Sequence, residues 1–244
     1  MRLEGTRIAV TGASRGIGRA LVLGLLARGA GVVAIARDGA ALAALPGERV
    51  ERLTCDLADP VARTALIEQL SDGRRLDGLI NNAGIQIEDD LTAGLAGAGE
   101  RIETELAVNL AAPMHLSAGL LPVLGRGPQA VLVNVNSGLA LAPKRSAVVY
   151  CASKAGLGSF TRGLRYQVED AGLPVRVIDA VMPLVATDMT AGRGAGKIMA
   201  EQAAEALLSG VEAGQDEIWI GKARSARVLH RLAPGLLQRM LRNG

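Results

Sequence analysis

Apolar residues along this chain come in short unbroken bursts, separated by longer stretches in which they recur every third or fourth position. The bursts RIAVTG, GVVAIAR, LDGLINN, AVLVNVN, VRVIDAVM and EIWIG lack an alternating polar face, as expected of strands covered on both sides. Between them, Ala and Leu keep a helical spacing. Strand and helix alternating six or seven times predict an α/β fold, a single doubly wound (Rossmann) domain with a seven-stranded parallel sheet flanked by helices. In this reading residues 1–221 form the domain that contains the cofactor and catalytic sites. Residues 222–244 are a basic amphipathic tail.

Composition narrows the picture. Hydrophobic residues make up 49% of the 244 residues but aromatics only 2%, so the core must be built from Ala, Val, Leu and Ile. A chain of this length buries a large core without staples. Cys55 and Cys151 make no disulfide framework and have no ligand-spaced neighbours, so no metal is expected. A formal charge of +3 without an aromatic-basic strip argues against nucleic acid as a partner. No leader pattern follows Met1 and each apolar burst is short for a bilayer, which leads to the expectation of a cytoplasmic protein. The stretch GRGAG at 192–196 reads as a loop over a pocket.

The chemistry begins at TGASRGIG, residues 11–18, between the first strand and a helix rich in Leu and Ala. Gly12 suits the tight turn, Gly16 a close backbone approach to pyrophosphate, and Gly18 the helix–strand contact. Free amides at that helix start favour an anion, and Ser14, Arg15 and Ile17 complete the cradle. The second strand is expected to end at Ala36 with no acid for a ribose hydroxyl. Arg37 and Arg15 instead suit a 2′-phosphate, so NADPH is favoured over NADH. Asp38 is the competing candidate, should the strand run longer. Asp56 and Leu57 close the third strand, and Asn82, Ala83 and Gly84 the fourth, at ends where such sheets bind ligands.

A second group supplies acid–base chemistry. Tyr150 and Lys154 lie four apart, one turn of a helix, where an ammonium can lower the tyrosine pKa. Ser137, at the end of the fifth strand, can orient a carbonyl oxygen, and the amide of Asn109 could hold a water behind Lys154. Cys151 reads as a small buried hydrophobe, and neither His115 nor His230 has a partner pattern.

TGASRGIG, Asp56-Leu57, NNAG, Asn109, Ser137 and Tyr150-x-x-x-Lys154 resemble the short-chain dehydrogenase/reductase family over residues 5–221. The resemblance implies NAD(P)-linked carbonyl or alcohol chemistry and homodimers or homotetramers built through the helices of Asn109 and Tyr150. It makes Ser137, Tyr150 and Lys154 the catalytic triad with Asn109 as fourth member, and it counts Tyr150, Lys154, Pro183 and Thr187 among the cofactor-binding residues. After the sixth strand the family usually reads Pro-Gly, whereas here Leu184 follows Pro183. That leucine should narrow or grease the pocket. Asn136 stands where a Ser is common, with no consequence expected. NNAGIQ, VNSGLA, MPLVATDM and the tail are similar to the DltE-like branch, named for an association with D-alanylation of teichoic acids.

Gln86, Leu139, Pro143, Lys144, Leu184, Val185 and part of 188–197 are expected around the substrate, with an open mouth and Lys144 at the surface. Mostly apolar, with one amide and one ammonium among them, they suit a medium-sized, largely aliphatic carbonyl compound, with a carboxylate as an option. The tail places Val228, Leu229, Leu232, Leu236, Leu237, Met240 and Leu241 at helical spacing, broken at Pro234-Gly235. It reads as packing on a partner subunit or the pocket edge, in preference to an anionic membrane surface. The alternative to catalysis is a non-catalytic NADP(H)-binding sensor or scaffold. An epimerase or dehydratase would usually bring a longer C-terminal substrate domain.

Overall fold

A computed structural model describes residues 1–94 and 96–243. Seven strands form the main sheet: β1 (Arg7–Thr11), β2 (Gly31–Ala36), β3 (Val50–Thr54), β4 (Gly78–Asn81), β5 (Ala130–Ser137), β6 (Val175–Met182) and β9 (Glu217–Trp219). Their spatial order is β3-β2-β1-β4-β5-β6-β9, and every pairing is parallel. A separate two-residue ladder joins β7 (Val185–Ala186) to β8 (Ile198–Met199) and closes the loop between them.

The bursts lack a polar face because both sides of each strand are buried. In β2, Val32, Ala34 and Ala36 enter one core cluster while Val33 and Ile35 enter the other. β5 divides likewise, with Val131, Val133 and Val135 on the first side and Ala130 and Leu132 on the second. α1 (Gly16–Ala27), α2 (Gly39–Ala43) and α7 (Ala200–Glu212) cover the first face through Leu21, Leu25, Leu42, Leu207 and Val211. α3 (Pro60–Leu70), α5 (Ala112–Leu124) and α6 (Val148–Asp170) cover the second through Leu66, Leu70, Leu116, Leu120, Leu164 and Val168.

The chain winds outward from β1 to β3, then crosses back to β4. Strand order therefore reverses between β1 and β4, opening a crevice at their carboxyl ends. α4 (Ala98–Leu106) runs into α5 through a π-helical turn, Ala107–Ala111, which carries Asn109. The continuous stretch Ala98–Leu124 is long and apolar enough to cross a membrane by length and composition. The π turn fuses two helices, and Leu116, Leu120 and Leu124 bury one face of the second against the sheet, as a core helix does.

The tail is also ordered. α8 (Lys222–Leu232) and α9 (Pro234–Leu241) meet at Ala233, Pro234 takes the first turn of α9, and Leu237 is buried. Arg227 of α8 pairs with Glu217 at 2.8 Å and lies over the Trp219 ring, 5.1 Å from its centroid. Val228, Leu232, Leu236 and Met240 remain exposed.

Candidate active site

The glycine cradle is as tight as its sequence demands. Gly12 and Gly16 have φ of +65° and +52°, conformations that cost any residue with a Cβ. A Cβ on Gly12 would lie 2.8 Å from Ala83 Cα, and one on Gly18 would overlap the carbonyl oxygen of Gly12. Arg15 caps α1 with extended backbone and no side-chain hydrogen bond, so no side chain occupies the first amides of the helix. That arrangement suits the pyrophosphate of a dinucleotide.

β2 ends at Ala36. Asp38 caps α2, accepting from the Ala41 amide at 3.0 Å. Arg37 is exposed and makes no ion pair among the described residues. Arg15 is exposed and loosely paired with Asp188 at 3.7 Å. Asp56 accepts from the Ala58 amide at 3.0 Å. The Asn82 side chain donates to the Thr11 carbonyl at 2.9 Å, and the Asn82 and Ala83 amides both donate to Thr11 Oγ1 at 3.0 Å. Asn82 thus locks the end of β4 to β1, fixing the floor on which a dinucleotide would lie.

Ser137 ends β5, while Tyr150 and Lys154 stand one turn apart on α6. All three open into one cavity of about 380 Å³, together with Ile17, Asn82, Gly84, Pro183 and Thr187. Burial pushes the Tyr150 hydroxyl up to about 12, opposed by the Ser137 hydroxyl. The Lys154 ammonium donates to the Val135 carbonyl at 2.9 Å and lies 5.8 Å from the Tyr150 ring centroid. Burial pulls it down to about 8, with Asp179 opposing. The expected lowering of Tyr150 by Lys154 is therefore not found in this geometry. Desolvation is the largest influence on the hydroxyl, and the ammonium is aimed at a strand carbonyl.

Asn109 is fully buried in the π turn. Its Oδ1 accepts from the Ile85 amide at 2.9 Å, and its Nδ2 donates to the Ile85 carbonyl at 2.8 Å and to Ser153 Oγ at 3.3 Å. The amide pins the strand-end segment to α6. Gly84 sits between, since a Cβ there would meet Asn109 Oδ1 at 3.3 Å and Lys154 Nζ at 3.8 Å.

Two polar residues lie beneath the site, one of them unmarked by sequence reading. Asn136 accepts from the Ser137 amide at 2.8 Å and faces Asp179 Oδ2 at 3.5 Å. It does have a consequence, contrary to expectation. Asp179 lies inside the apolar run of β6, where burial pushes it up to about 6, and its Oδ1 is buried without a partner. Its one visible signal is an acid at a position where both faces of the strand are covered.

Gln86, Leu139, Lys144, Leu184 and Val185 line the cavity as expected, and Pro143 does not. Leu184 leans on Gly194 of the loop after Thr187. Lys144 is not a surface residue. Its side chain is 13% exposed and pairs with Glu88 at 2.8 Å. Arg193 reaches the same Glu88 oxygen at 3.1 Å, so an ion-pair bridge joins the two loops. Lys222, Ala226 and Leu241 of the tail join the wall. Helical spacing marks these tail positions as apolar or basic, but cannot say which element they face. Cys151 is buried, and His115 accepts from Arg63 at 3.3 Å.

A family of short chain dehydrogenases matches residues 6–198. An "uncharacterized oxidoreductase DltE" of Bacillus subtilis is 37% identical over 230 residues, 89% of each chain. A short chain dehydrogenase of Burkholderia cenocepacia, solved in complex with NADP, superimposes with a TM-score of 0.88 at 29% identity over 99% of both chains. One from Sphingobium yanoikuyae, in complex with NADPH, gives 0.81 at 26% identity over 95% of both. The chain belongs to the short-chain dehydrogenase/reductase family of NAD(P)-dependent oxidoreductases. Within that family it resembles the DltE-like branch.

Proposed function

We propose that this chain transfers a hydride between NADP(H) and a carbonyl or alcohol substrate, with Tyr150 as the acid–base residue. One observation carries the reading: Ser137, Tyr150 and Lys154 share a cavity with residues that border the glycine cradle. Gly12, Ser14, Arg15, Gly16, Ile17 and Gly18 would hold the pyrophosphate side, Asp56 and Leu57 the adenine side, and Asn82, Ala83, Gly84, Pro183 and Thr187 the nicotinamide side. The bound cofactor supplies the hydride. Ser137 donates a hydrogen bond to the substrate oxygen, and Tyr150 delivers the proton that the oxygen needs. Lys154 keeps a positive charge beside the tyrosine, and Asn109 holds Ile85 and Gly84 in place. Positioned proton transfer of this kind contributes about 10²–10⁴-fold.

NADPH is the favoured cofactor because β2 ends without an acid, Asp38 is engaged in capping α2, and Arg15 and Arg37 stand exposed. The solved relatives with NADP and NADPH support the same choice. The apolar wall fits a medium-sized aliphatic carbonyl compound, with residues 222–244 acting as an appended wall around the 1–221 body. A cytoplasmic homodimer or homotetramer using α4, α5 and α6 completes the reading.

The test is NADPH consumption against a panel of carbonyl compounds, with Tyr150→Phe beside the wild type. Turnover that falls by about 10²–10⁴-fold in the variant, with NADPH binding kept, is expected. Equal turnover in both proteins removes Tyr150 from the chemistry. Tight NADPH binding with no turnover on any carbonyl favours the sensor reading.

A further inference from the structure

The cavity has an apolar interior and a cationic rim. Leu139, Met182, Leu184, Val185, Met189 and Leu241 make most of the wall beyond the catalytic group. Lys144, Arg193 and Lys222 also line it, and no acidic residue among the described ones does. Three separate elements bring these cations together: the loop before α6, the loop after Thr187, and the first turn of α8.

Lys144 and Arg193 both donate to one oxygen of Glu88, so their charges converge on a single atom. Two cations on one carboxylate leave a net positive charge, and together they hold Glu88 below the usual carboxylate range. Glu88 itself is 41% exposed, outside the cavity lining, while the two cations are the more buried partners. Lys222 leans over Gly196 and makes no ion pair among the described residues. An arriving carboxylate can therefore take the place of Glu88 at an exposed and easily exchanged contact, while gaining charge-assisted bonds from partly shielded donors.

From this arrangement we infer that the substrate is an aliphatic carbonyl compound with a carboxylate at its far end, received by Lys144 and Arg193. The inference rests on the proposed reductase function and specifies its substrate class. The carbonyl lies against Ser137 and Tyr150, the hydrocarbon follows the apolar wall, and the carboxylate reaches the rim. The same glutamate clasp could instead serve only to hold the loop, and the two roles separate experimentally.

A homologous series of straight-chain oxo acids and their methyl esters would be assayed with NADPH, the keto group moved along the chain. Wild-type kcat/KM should favour an acid over its ester by about ten-fold or more. Lys144→Gln and Arg193→Gln should erase that ratio by raising KM for the acid alone, while Glu88→Gln should increase it. A ratio near one in the wild type, or variants that depress acid and ester equally, would overturn the inference. Weakened NADPH binding in the variants with an unchanged ratio would assign the cations to the cofactor and overturn it too. Calorimetry of acid and ester on the NADP⁺-saturated protein reads the rim without turnover. Tighter acid binding with no reduction of any compound keeps the rim and sinks the reductase reading. Reduction of esters without acid preference sinks the rim alone.

Discussion

Asn136 stands between the site serine and a half-buried acid, its Nδ2 3.5 Å from Asp179 Oδ2 and its Oδ1 accepting the Ser137 amide. Asp179 also raises Lys154, against the larger pull of burial. An acid one strand away from Ser137 is thus tied to both Ser137 and Lys154, which line the same cavity.

The consequence for stability has a definite sign. Asp179 is pushed from 3.8 to about 6 by burial, so the folded chain binds a proton that the unfolded chain has released. Stability from this group is present at acid pH and is lost as pH climbs from about 4 through 6. Asp179→Asn should therefore raise the Tm at pH 7.5, by up to about 3 kcal/mol of added stability, and change it little at pH 4. Thermal melts at both pH values check this. In the same variant the ionisation of Lys154 should move below about 8, seen as a basic limb of the kcat profile shifted to lower pH.

Replacing Arg37 by Asp should swing the ratio of NADPH to NADH affinity by about ten-fold or more, since a charge-assisted partner of the 2′-phosphate becomes a repelling acid. Fluorescence titration of both dinucleotides measures it. An unchanged ratio would leave β2's acid-free end without influence on cofactor choice.

Gly18→Ala places a methyl against the Gly12 carbonyl, with rigid backbone on both sides. The expected result is loss of dinucleotide binding together with about 1–3 kcal/mol of destabilisation from overpacking. A Gly99→Ala control, where a Cβ on α4 meets nothing within 4 Å, should leave dinucleotide binding unchanged and raise stability by about 0.4–1 kcal/mol. Denaturant melts and NADPH titration of the two variants decide the matter.

Leu237 is the buried anchor of α9. Leu237→Ala should lower stability by about 2–5 kcal/mol if α9 unfolds with the body. A loss well under that range would mean that the tail opens separately from the sheet. Urea unfolding followed by far-ultraviolet circular dichroism distinguishes the outcomes.

Most of the architecture was legible because its signals are local. Bursts such as GVVAIA declare a doubly covered strand, and TGASRGIG sits where a turn with positive φ must follow one. Ser137 and Tyr150-x-x-x-Lys154 were legible as types at a spacing. The orientation of Asn109 toward Ile85 was not, because it depends on the π turn that re-aims the side chain. Asp179 was hidden in an apolar run. Its meaning comes from a strand neighbour 43 residues earlier in the chain. Arg193 and Lys144 meet on Glu88 only once three loops are placed, which no periodicity encodes.

Trp219 is the sole tryptophan of the chain, and it carries Arg227 of α8 on its ring. The protein therefore has a built-in optical probe on β9, in contact with the helix whose Lys222, Ala223 and Ala226 wall the cavity. Any ligand that lifts or settles α8 will alter the stacking of a guanidinium on that indole. Its emission can report pocket occupancy in real time, without a label and without waiting for turnover.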